Sequence, residues 1–204
     1  MSKLPVIPSK LKYQTLSHIE ATPNGIRFDS RIIGYSGVIR QLEAGGFDSS
    51  LANGLLVVAE IQLADTNNWF SPSDEQMAII WRWLIACIFI HEQQDKNGMV
   101  MVESEDGSTS RAVLYAGEHG GIAIYPSTER CSLATHIEGI AIQKYGAEAG
   151  LQRAIQLYQG MAESDPDGNA LRLSQWGREG LTMLHDDFIK MLNTEGIPAA
   201  PVAH

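Results

Sequence analysis

The sequence predicts an α+β domain in which a small antiparallel β-meander packs with a central apolar helix and C-terminal amphipathic helices. Three observations carry that expectation. Residues 77–90 form an apolar run whose only charged member is Arg82. Three short β-rich runs, MVMVE, RAVLY and GIAIY, follow it at hairpin spacing. Beyond Ser127 the apolar period becomes that of helices.

Chain length fits one domain, since 204 residues suffice to bury roughly 70% of the unfolded surface without disulfide or metal support. The division read from composition is an N-terminal arm at 1–25, a single α+β domain at 26–195 and a C-terminal tail at 196–204. Pro5, Pro8 and Pro23 with the turn signal Pro23-Asn24-Gly25 give the arm its irregular character. Ile26 and Phe28, then Ile32 and Ile33, suggest a strand, and the loops GYSGV and EAGGFDSS enclose a short element at 38–42. In LLVVAEIQLAD, residues 55–65, the alternation of Val57, Ala59, Ile61 and Leu63 favours a strand, although the length also suits a buried helix.

The clearest start signal is SPSDEQ. Ser71 caps with Pro72 at the first helical position, or Ser73 caps with Gln76 three residues on. The helix that follows, over 71–95, is apolar nearly all round and must be enclosed by other elements. In the first β-rich run Val100 and Val102 alternate with Met99, Met101 and Glu103, so one face is less apolar than the other. The later helical stripes are Leu133, Ile137, Ile140 and Ala141, then Leu151, Ala154, Ile155, Tyr158 and Ala162, with Gly146 at their joint. SDPDG reads as a turn. A last helix sets Gly177, Leu181, Leu184, Phe188, Met191 and Leu192 against Arg178, Glu179, Thr182, Asp186 and Lys190.

Candidate chemistry centres on IFIHEQQD. His91, Glu92 and Asp95 keep the spacing of a zinc hydrolase helix, with Asp95 where the second imidazole would stand. The simpler reading is that His91 begins the segment where the buried helix emerges into water. Cys87 lies one turn before His91, and Cys131 lies five residues before His136. Two thiolates and two imidazoles would close a tetrahedral zinc site if those helices met. His119 is placed at a hairpin tip, and His185 beside Asp186 and Asp187 on a solvated helix face. Motifs for nucleotide cradles and for serine or cysteine nucleophiles are missing from the chain.

Fifteen basic against 24 acidic residues give a net charge of −9, with no basic cluster to track phosphates, so nucleic acid is not an expected partner. The apolar run falls short of the roughly 20 residues that span a bilayer. Two cysteines and no signal-like apolar N-terminus give a soluble, cytoplasmic expectation. The function expected is that of a non-enzymatic structural or interaction protein. It would be a subunit of a homo-oligomer or larger assembly, without a cofactor, held to identical subunits or a protein partner by its arms and last helix. The alternative is a metal-dependent hydrolase using zinc at His91, Glu92 and Asp95. An acidic regulator of another protein is a third class, with no localised sequence feature behind it.

Overall fold

An α+β fold is observed in the computed structural model, which describes residues 19–44, 49–64, 72–95, 99–103, 106–116, 121–125, 130–164 and 171–193. Strands β1 (Ile19–Thr22), β2 (Gly25–Phe28) and β3 (Arg31–Ile33) form a three-stranded antiparallel sheet in that order. Packed strands are therefore present inside the segment read as an irregular lead-in. Thr22 is the reason: its buried hydroxyl donates to the Gly25 carbonyl at 2.8 Å and accepts the Asn24 N–H at 3.3 Å, closing the Pro23-Asn24 turn. Asp29 turns the second hairpin with φ 52, a conformation that short polar side chains tolerate.

Helix α1 (Tyr35–Glu43) extends further toward the N-terminus than the short element expected at 38–42, and Tyr35 fixes its start by donating to the Thr22 carbonyl at 2.8 Å. The strand expected at 55–65 is corrected: this segment belongs to α2 (Ser49–Ala64). Consecutive residues Leu55, Leu56, Val57, Val58 and Ala59 are all buried. A strand with one wet face would expose every second one of them, whereas a helix enclosed on several sides by β1, β2 and α3 buries the whole run.

Helix α3 (Asp74–Gln93) is the expected central helix, every described residue from Ile80 to Ile90 being buried. Its start uses the second of the two caps. Ser73 Oγ accepts the Gln76 N–H at 3.2 Å, and Gln76 Oε1 accepts the Ser73 N–H at 3.1 Å, the reciprocal pairing of a capping box. Asp74 and Glu75 in the first turn suit the positive end of the helix dipole. Around α3 pack α1, α2, β5, β9 and α5.

The β-rich runs form the expected meander, β4 (Val100–Glu103), β5 (Thr109–Ala116) and β6 (Ile122–Tyr125), extended by a short β7 (Arg130–Cys131). Met101 is exposed and Val100 buried, so the first strand does have a wet and a dry face. The helical period expected from Ser127 is interrupted by β7, and the helix then opens as a π-helical turn, Ala134–Gly139, before α4 (Ile140–Tyr145). Gly146, at φ 88, breaks the joint to α5 (Ala147–Met161). Two further strands, β8 (Ala162–Ser164) and β9 (Leu171–Leu173), pair as an antiparallel hairpin that the sequence reading did not foresee. Helix α6 (Gln175–Asn193) is the last described element. The SDPDG turn beyond Ser164, the tail at 196–204 and His119 lie outside the described residues. No helix among the described residues is long and apolar enough to cross a membrane.

Candidate functional site

At the polar end of α3 the Glu92 and Asp95 side chains make structural contacts. Glu92 reaches across to the C-terminal unit: Oε1 accepts the Leu173 N–H at 2.8 Å and Oε2 accepts Arg178 Nε–H at 3.1 Å. Helix α3 ends at Gln93, and Gln94 is extended at ψ 142, so Asp95 does not continue the helical face of His91. Asp95 instead bonds to Met99 just ahead of β4, donating its N–H to the Met99 carbonyl at 2.8 Å while Oδ1 accepts the Met99 N–H at 3.0 Å. His91 sits half-buried on the last turn of α3.

Cys87 is fully buried in the middle of α3, and burial pushes its thiol well above the usual range. Metals and electrophiles take the thiolate, which this environment disfavours. His136 lies in the π turn, where Nδ1 donates to the Ser132 carbonyl at 2.8 Å; a carbonyl only accepts, so that nitrogen carries the proton. Cys131 is placed by its backbone in β7 opposite Ile122. Its side chain, like those of His185, Asp186 and Asp187 on α6, is outside what the structure describes. Among the described residues no three His, Cys, Asp or Glu side chains come together in a way that could hold a metal.

Two other features emerge that motif reasoning passed over. The first is a buried polar cluster under the π turn. Arg82, the lone charge of the apolar run, is 5% exposed and its Nη1 donates to Glu138 Oε1 at 2.7 Å. Tyr158 of α5 donates to the same oxygen at 2.9 Å and stands 3.3 Å from the Leu133 carbonyl. Burial, and then the negative charge of Glu138, push the Tyr158 phenol upward. The signal for this cluster was present: a lone Arg in an enclosed helix must find a partner.

The second feature is on α6. Gly177, Leu181 and Leu184 face inward as expected. Gly177 is fixed there because a β-carbon would collide with the Met161 carbonyl oxygen. Ser174 adds a cap, with Oγ accepting the Gly177 N–H at 3.0 Å and donating to the Gly160 carbonyl at 2.7 Å. On the outer side Trp176 is 46% and Met183 60% exposed. Seven residues are about two helical turns, so the two side chains share one face. The Trp176 ring lies beside Gly160 of α5.

Neither a scan against protein-family models nor searches of curated proteins and of solved structures finds a match to this chain.

Proposed function

We propose that this protein is a non-enzymatic structural subunit that associates with copies of itself through the exposed side of its last helix. The observation that carries the reading is the outward pair Trp176 and Met183 on α6. Isolated surface apolar residues are ordinary. A large aromatic and a methionine on one rigid face are the residue types enriched at protein interfaces, where an aromatic anchor contributes most of the binding energy. The anchoring of α6 by Glu92, Ser174 and Gly177 supports the same reading, because a preorganised face loses little freedom on docking.

Light scattering across a concentration series tests it. The wild-type chain is expected to gain molar mass with concentration, and the Trp176→Ser/Met183→Ser variant to need at least about tenfold more protein for the same association, as loss of a hot-spot pair implies. Met101→Ser, which changes another exposed apolar residue, is the control and is expected to behave as wild type. A monomer at every concentration, or a double variant that associates like the wild type, sinks the proposal. Elemental analysis separates it from the hydrolase alternative: stoichiometric zinc that disappears in His91→Ala would replace an assembly role with metal chemistry.

A further inference from the structure

The π turn at Ala134–Gly139 needs a tertiary cause. Hydrogen bonds five residues back are poorer than those of an α-helix and appear mostly as single turns imposed by context. The segment offers no proline to force the change. What distinguishes it is Glu138, whose Oε1 receives both Arg82 from the middle of α3 and Tyr158 from α5. Three elements meet at one oxygen.

Such a pair is a poor source of net stability, since desolvation offsets most of the attraction. Here the compensation is incomplete, because Arg82 Nε is buried without a hydrogen-bond partner among the described residues. The attested use of a buried polar contact is to select one register over another. An α-helix advances about 100° per residue, and a π turn advances less. Rewinding residues 134–139 as α-helix would therefore turn Glu138 away from Arg82 and rotate α4 about its axis.

We propose that Arg82, Glu138 and Tyr158 form a register lock that keeps residues 134–139 in π winding and thereby sets which face α4 turns outward. The consequence reaches α5. Ala141 is buried while Ile142 and Tyr145 are exposed, and the backbone at Ile142 abuts Gly150, where no β-carbon fits. That close approach requires one rotation of α4, and the lock supplies it.

The test replaces the charged pair by apolar side chains of similar reach, Arg82→Met/Glu138→Leu, and reads backbone hydrogen bonding of 134–139 by nuclear magnetic resonance. The expected result is a folded protein in which residues 134–139 wind as α-helix, the five-back bonds of the π turn giving way to four-back bonds like the one the His136 N–H already makes to the Ser132 carbonyl, and the Tyr145 ring resonances move. Retention of the five-residue pattern overturns the proposal. Should the double variant fail to fold, Glu138→Gln decides: amide protection in 134–139 is expected to fall about tenfold more than in α5. An equal fall in both segments, or none in either, overturns it.

Discussion

Arg82 shows how one charge governs a neighbourhood. Its ion pair with Glu138 is nearly enclosed, with side chains 6% and 12% exposed. Removing one partner therefore strands the other charge in a dry interior. Arg82→Met alone is expected to lower unfolding free energy by about 3–5 kcal/mol, and adding Glu138→Leu to recover most of that loss. Urea titration of both variants measures the difference, and a double variant as unstable as the single one would contradict it.

Three buried acids give a second expectation, for alkaline pH. Burial raises Cys87 from 9.0 and Tyr35 and Tyr158 from 10.0, so the folded state retains protons that the unfolded chain releases. Below the lower of these ordinary values both states are protonated and the groups contribute no slope. As pH rises past 9.0 and then 10.0, the folded state binds more protons than the unfolded one, and stability falls with pH. Melting temperature between pH 8 and 11 should decline accordingly. The phenols of Tyr35 and Tyr158 should ionise only with unfolding, which ultraviolet titration reads.

Among the described elements, α3 carries the most burial, and α6 is closely placed through Gly177. Ile85 is fully buried, so Ile85→Ala should cost about 2–5 kcal/mol through lost transfer energy and the cavity left behind. A charge there should prevent folding. Gly177→Ala acts on geometry instead: the added methyl meets the backbone at Met161 and should cost about 1–3 kcal/mol as α6 is pushed outward. If the assembly reading holds, that variant weakens association as well, since Trp176 moves with the helix. Chemical denaturation and light scattering on the same preparation separate the two effects.

Among the described residues the molecule has three small sheets and six α-helices, with α1, α2, α5, β5 and β9 packed around α3. Both ends of α3 are tied to other parts of the chain. At its start Gln76 is within 3.5 Å of Ser36 Oγ of α1, and at its exit Glu92 clasps β9 and α6. Of the residues that resembled a metal motif, Glu92 is a joint between α3 and the C-terminal elements. High ionic strength is expected to screen the exposed Arg178–Glu92 contact yet lower stability only slightly, because such pairs contribute about 0–1 kcal/mol; the Leu173 N–H on Glu92, partly buried, is the part whose loss should show. Glu92→Gln, which keeps an oxygen acceptor, should melt closer to wild type than Glu92→Ala.

Local chemistry already named α3, the pair of caps from which Ser73 is used, the meander and the inward Gly177, Leu181 and Leu184 of α6, because periodicity, capping and β-propensity are written in neighbouring residues. It favoured the wrong element at 55–65, where a fully buried segment of either kind is apolar throughout and the alternation suggested a strand. It also left Arg82 without its partner. Glu138 lies 56 positions away, and only chain closure brings the two into one dry space, with the π winding as its result. The inward stripe already left Trp176 and Met183 off the core face of α6, but how far they stay exposed is decided by tertiary packing, where Gly177 lies against the Met161 backbone.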